Sequence, residues 1–135
     1  MFSVEVRQEA RGTVMALRGE LDFDSAVQLD EAGHGVLEPG RRKEPVVVDM
    51  AGLTFCDSSG ISALLRLYQQ LSTQERRLLL AAVPRTVLRL FTLTGLDQIF
   101  PVHPDAHAAL AGGPPGPHPA TGSAPSAQQN EKETA

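Results

Sequence analysis

Between Ser3 and Gln8 polar and apolar residues alternate, which puts Val4 and Val6 on one face of a strand. Thr13 to Glu20 is a second β-like run, and Arg11-Gly12 between the two predicts a short turn, so the pair reads as a hairpin. The period then changes. Asp22-Phe23-Asp24-Ser25 offers several N-cap residues, and Ala26, Leu29, Ala32 and Val36 follow at helical spacing until Pro39-Gly40 stops the helix. Val46-Val47-Val48 is continuously apolar and β-branched, as expected of a strand covered on both faces. A loop from Met50 to Cys56 is expected to lead into Asp57-Ser58-Ser59.

Beyond that loop Ile61, Leu64, Leu65, Tyr68 and Leu71 recur three or four residues apart, the mark of an amphipathic helix. Leu78 to Val83 reads as another buried strand. Pro84 then opens a helix with Val87, Leu90 and Phe91 on its apolar face and Gly95 as its C-cap. Ile99 to Val102 reads as a short edge strand, where Pro101 is tolerated, and Asp105 to Leu110 as a last helix. The order β-β-α-β-α-β-α-β-α predicts an α/β fold. Its central sheet is mixed: an antiparallel hairpin is followed by parallel strands joined through right-handed crossovers, with helices packed on the sheet.

Composition narrows the function. The 135 residues carry a formal net charge of -4, which gives no support to nucleic-acid binding through phosphate neutralisation. A single cysteine excludes an internal disulfide and a cysteine-based zinc site. With no Trp, one Tyr and five Phe, the core is expected to be aliphatic. Met-Phe-Ser-Val-Glu-Val-Arg lacks the apolar stretch of a signal peptide, and the longest apolar run, Leu78 to Val83, is too short to span a bilayer, so a cytoplasmic protein without membrane contact is expected. Residues 111–135 hold five of the ten prolines and four of the twelve glycines, with no Val, Ile, Leu, Met, Phe or Tyr. That composition cannot offset the entropy of ordering, so residues 1–110 are expected to form the domain and 111–135 a disordered tail.

The candidate chemistry centres on Phe55-Cys56-Asp57-Ser58-Ser59-Gly60-Ile61. Ser58 falls where a buried strand has ended and a helix begins, the edge of an α/β sheet at which function usually sits. A helix N-terminus offers free backbone N–H groups and a partial positive charge, so a phosphate is tolerated there. Gly60 keeps side-chain bulk away from the first turn. Asp57 or Ser58 as a plain N-cap explains the same pattern.

Longer motifs bear on that choice. The stretch from Val46 through Asp49-Met50-Ala51-Gly52-Leu53-Thr54-Phe55-Cys56 to Asp57-Ser58-Ser59-Gly60 closely resembles the signature of STAS domains of the anti-sigma-factor antagonist type. Leu17-Arg18-Gly19-Glu20-Leu21-Asp22, Pro84 to Leu90, and Phe91-Thr92-Leu93-Thr94-Gly95-Leu96 resemble further family motifs in the same order, over about residues 3–110. The resemblance implies a non-enzymatic STAS-like domain that acts by partner switching. Ser58 is then the phosphorylated residue, and Asp22, Asp57, Ser58, Ser59 and Gly60 belong to the partner-binding face. The implied partners are an anti-sigma factor that is itself the serine kinase and brings the ATP, and a serine phosphatase that resets the switch. The antagonist needs no cofactor of its own. Unphosphorylated, it binds the anti-sigma factor and frees a sigma factor; phosphorylated, it lets go. The chain departs from the family at Cys56, often Met, and at Ser62, often Gly. Asp22 resembles a family loop acid and equally reads as a cap of the first helix.

Competing readings remain for the same residues. A constitutive STAS scaffold or dimerising module would leave Ser58 unmodified, and a small-ligand sensor would use the fold differently. Ser58 as a hydrolytic nucleophile lacks the Gly-x-Ser-x-Gly elbow and a partnered histidine. His34, His103, His107 and His118 show no metal-ligand spacing and are expected on the solvated surface. Cys56 beside a helix N-terminus is either a redox-sensitive thiol or a small buried residue. Arg41-Arg42-Lys43 reads as a solvated loop.

Overall fold

Glu9 pairs with Gly12, so the first reversal of the chain is made by Ala10 and Arg11 and not by Arg11-Gly12. Gly12 belongs to the second strand, where an added Cβ would lie 2.5 Å from the Pro45 carbonyl oxygen. This computed structural model describes residues 1–37 and 44–111. Strands β1 (Phe2–Glu9) and β2 (Gly12–Leu21) form the antiparallel hairpin, and helix α1 (Ala26–Val36) follows. Then come β3 (Val46–Cys56), α2 (Ser58–Thr73), β4 (Leu78–Ala81), α3 (Arg85–Thr94), β5 (Val102–His103) and α4 (Ala106–Leu110). The sheet order is β1-β2-β3-β4-β5, with every neighbouring pair after the first parallel. The fold is mixed α/β, as the alternation of periods predicts.

Strand order follows the chain, so crossovers of one hand carry α1, α2 and α3 to the same face of the sheet. There Met15, Leu17, Leu21, Val48, Met50 and Leu80 pack with Leu29 of α1, Leu64, Leu67 and Leu71 of α2, and Phe91 of α3. The opposite face is smaller. Val14, Val47, Leu79 and Ala81 are covered by Ala106, Ala109 and Leu110 of α4. Both faces of β3 and β4 are therefore buried, which accounts for the unbroken apolar runs Val46-Val47-Val48 and Leu78-Leu79-Leu80. The core is mainly aliphatic, but Phe91 and Phe100 are its largest fully buried side chains, and Tyr68 meets Phe100 edge-on with ring centroids 5.4 Å apart.

Three further expectations change. The stretch from Met50 to Cys56 is strand, because it pairs with the second half of β2 through Arg18↔Gly52, Gly19↔Leu53, Glu20↔Phe55 and Leu21↔Cys56. Register shifts between Ala16 and Arg18 and between Gly19 and Glu20 break the two-residue alternation that would have revealed it. The last strand begins at Val102 and not at Ile99: Gly95 caps α3 in the left-handed region at φ 80°, and Leu96–Gln98 then forms a 3-10 turn that consumes the preceding residues. His103 is buried at 3% exposure, whereas His34 and His107 are exposed. Arg76 is buried as well, donating from Nε to the Glu44 carbonyl at 2.9 Å and from Nη1 to the Val36 carbonyl at the end of α1. Pro39-Gly40, Arg41-Arg42-Lys43, His118 and the expected tail beyond Ala111 lie outside the described residues.

Candidate functional site at the start of the second helix

The parallel pairing of β2 and β3 sets the site. Both strands end level with each other at Leu21 and Cys56, and the Asp57 N–H donates to the Leu21 carbonyl at 3.2 Å. The turn Asp22 to Ser25 that leaves β2 and the Asp57 cap that leaves β3 therefore start side by side. This brings Asp22 to the same end of the sheet as Asp57, Ser58, Ser59 and Gly60.

Asp57 is extended, with φ -111° and ψ -171°, and its Oδ1 accepts the N–H of Ser59 at 2.9 Å and of Gly60 at 3.2 Å. Its carbonyl accepts the Ile61 N–H at 3.1 Å. Asp57 is thus the N-cap of α2, and Ser58 is the first helical residue. The Ser58 side chain is exposed, and its hydroxyl makes no hydrogen bond among the described residues. Ser59 is half-buried and Gly60 buried.

Asp22 is half-buried in a reciprocal turn with Ser25. Its N–H donates to Ser25 Oγ at 2.8 Å, and its Oδ1 accepts the Ser25 N–H at 3.1 Å. Ser25 Oγ donates in turn to the Glu20 carbonyl at 2.8 Å. The Asp22 carbonyl accepts the Ala26 N–H at 2.9 Å, so Asp22 closes the turn that opens α1, while Ser25 holds the N-cap position without a side-chain cap bond. Cys56 is buried behind the site, and burial, followed by the negative charge of Asp57, pushes its thiol up to about 11. A thiol in that state is protonated and inert at neutral pH, which decides between its two readings in favour of the packing one.

Sequence reasoning overlooked the exposed apolar residues at this end of the sheet. Phe23 is 80% exposed, Val27 is 54% exposed and Phe55 is 48% exposed. The signal for Phe23 was its place between Asp22 and Asp24 in a turn, where a side chain has no core to enter. Among the described residues no cluster of His, Cys, Asp and Glu is suited to a metal ion, and no helix is long and apolar enough to cross a membrane.

Comparison with known proteins places this geometry in a family. The family model described as "Mlab, STAS domain" matches residues 4–102. The anti-sigma F factor antagonist of Paenibacillus polymyxa is 28% identical over 113 residues, which is 81% of this chain and 92% of that protein. An anti-sigma factor antagonist from Mycobacterium paratuberculosis, solved by crystallography, superposes with a TM-score of 0.73 at 26% identity, over 83% of this chain and 93% of that one. The Bacillus cell fate determinant SpoIIAA in its phosphorylated form shares the fold, with a TM-score of 0.63 at 22% identity, over 79% of this chain and 96% of that one. The chain belongs to the STAS domain family, among relatives named anti-sigma factor antagonists.

Proposed function

We propose that this chain is a non-enzymatic anti-sigma-factor antagonist whose partner exchange is controlled by phosphorylation of Ser58. The observation that carries the proposal is the exposed Ser58 hydroxyl on the first turn of α2, with the cap supplied by its neighbour Asp57. A hydroxyl that holds no structural hydrogen bond is free to be modified without unfolding the helix. In this reading residues 1–110 are the switching domain, followed by a tail at 111–135. The unphosphorylated chain binds an anti-sigma factor that is also the serine kinase, through Asp22, Asp57, Ser58, Ser59 and Gly60, and a sigma factor is released. A serine phosphatase restores the binding form. The antagonist works in the cytoplasm and needs no cofactor.

The site suggests why phosphate would end the complex. A phosphoserine adds about -1.5 to -2 charges at neutral pH. The Ser59 and Gly60 N–H groups, which would otherwise receive such an anion, already serve the Asp57 carboxylate. The new charge therefore stands beside an existing one and is met by the partner surface, which must desolvate it to stay in contact. SpoIIAA, which has this fold, has been solved in a phosphorylated form, a precedent for modification in this architecture.

The test uses native cells. Affinity capture with the wild-type chain, then incubation with the captured kinase and ATP, should give one phosphate, mapped by mass spectrometry to Ser58. Ser58→Ala should resist modification and hold the kinase constitutively, and Ser58→Glu should bind it more weakly. Phosphate on Ser59 would overturn the residue assignment. An unmodified chain with an unchanged complex would overturn the switch and favour a constitutive scaffold.

A further inference from the structure

The same end of the sheet carries a feature that phosphorylation does not explain. Phe23 stands in solvent at 80% exposure two residues past Leu21, whose carbonyl receives the Asp57 N–H at 3.2 Å. Val27, in the first turn of α1, is 54% exposed, and Phe55, paired with Glu20 across the strands, is 48% exposed. Large apolar side chains left exposed at the end of the sheet that carries a functional group point to an interaction surface. The turn holding Phe23 is stiff, because the Asp22–Ser25 bonds fix both of its ends. An aromatic ring on a stiff turn loses little entropy when it is buried, which suits it to anchor a complex.

The charge in the chain segments around Phe23 is acidic, and Arg18, against Gly52, is the first cation beyond them. Residues 19–27 and 50–62, which form this end of β2, β3 and their helices, contain Glu20, Asp22, Asp24 and Asp57 and no lysine, arginine or histidine. Glu20 and Asp24 are exposed, and Asp22 and Asp57 half-buried. A surface that covers Phe23 must also face the exposed Glu20 and Asp24, and a cationic surface does so at least cost.

We propose that Phe23, supported by Val27, is the apolar anchor by which this chain recognises its kinase, in an apolar recess that carries lysine or arginine opposite Glu20 and Asp24 and none opposite Ser58. The proposal rests on the switching function given above and assigns the specificity of that interface to residues outside the Asp57–Gly60 motif. Ser58 then reports the phosphorylation state, and the Phe23 turn selects the partner. The acidic rim speeds encounter with the basic recess, and Phe23 sets how long the complex lasts.

The experiment measures binding of the full chain to the purified serine kinase captured by the wild type, with a non-hydrolysable ATP analogue so that Ser58 stays unmodified. Phe23→Ala should weaken the complex at least 30-fold, and Leu93→Ala, which removes an equally apolar side chain 78% exposed on α3, should stay within twofold. Asp24→Asn should lower the association rate and flatten its dependence on salt. Circular dichroism and melting of each variant, which should match the wild type, separate lost contact from lost fold. A Phe23→Ala complex within threefold of wild type, while Ser58→Glu weakens binding, overturns the anchor and spares the switch. A wild-type chain that captures no kinase overturns both. Concentration-dependent dimerisation of the chain that Phe23→Ala abolishes gives the patch to a second copy and overturns the proposal.

Discussion

Gly60 packs so closely under the end of β2 that an added Cβ would lie 2.7 Å from Leu21 Cγ and 2.9 Å from Cys56 Sγ. Leu21 is fully buried and Cys56 is buried, so neither can swing into solvent. The glycine lets the first turn of α2 lie directly on the strand ends, and this close approach fixes how far Ser58 projects.

Gly60→Ala should therefore destabilise the domain although alanine is the better helix former. Overpacking a filled core costs about 1–3 kcal/mol, against a propensity gain of about 1 kcal/mol. A net loss of roughly 1 kcal/mol is expected by urea unfolding. Leu21→Ala in the same background should relieve the clash, so the two substitutions should be strongly non-additive. Additive effects would show that the contact does not limit the packing.

Asp57 and Ser58 are adjacent but should respond very differently to truncation. Asp57→Ala removes the acceptor of two helix N–H groups and should cost about 1 kcal/mol, within a range of roughly 0.5–2 kcal/mol. Ser58→Ala removes an exposed hydroxyl without a structural bond and should stay within about 0.5 kcal/mol of wild type. Denaturant midpoints of the two variants check the assignment. Equal losses would mean that both side chains share the cap.

The repeating patterns made most of the fold legible. Val87, Phe91 and Gly95 fix α3, and the spacing of Ile61, Leu64 and Leu71 fixes α2, because a helix with one buried face writes its period into the sequence. The second half of β3 was hidden. Ala51-Gly52 has low strand propensity, and the register shifts against β2 remove the alternation, so only the pairing partner reveals the strand. At the site, Asp57-Ser58-Ser59-Gly60 announced a helix start, but either Asp57 or Ser58 fitted as its cap; the two bonds to Asp57 Oδ1 decide it. Burial of His103 and Arg76 depends on which elements meet in three dimensions, and no local pattern carries that information.

Cys56 should behave as a packing residue. With its thiol pushed up to about 11, the thiolate at pH 7 is a fraction on the order of 10⁻⁴, and alkylation of the folded chain should be far slower than that of the unfolded one. Cys56→Ser buries a hydroxyl and should cost roughly 1–2 kcal/mol, with phosphorylation of Ser58 nearly intact. Rapid labelling by iodoacetamide under native conditions, with loss of partner binding on mild oxidation, would restore the redox reading.

His103 should make the stability of the domain depend on pH. It lies in the two-residue strand β5, beside Ala81 of β4, and neither ring nitrogen has a hydrogen-bond partner among the described residues. Val102 packs toward the main core, so alternation turns His103 to the face covered by α4. Burial, and then the Arg77 guanidinium, hold its pKa below the ordinary value of 6.5. The unfolded chain therefore takes up the proton first as the pH falls. Above about pH 6.5 the imidazole is neutral in both states and its contribution to stability is complete. Below that pH only the unfolded state is protonated, so stability declines until the pH reaches the lowered folded value, and there this contribution levels off. Urea unfolding between about pH 7.5 and pH 5 should show this decline for the wild type and a flatter profile for His103→Leu. The other three histidines are present in both proteins, so the difference between the profiles isolates His103. Parallel profiles would mean that His103 is protonated as easily in the folded chain as in the unfolded one, and would put the imidazole in contact with water.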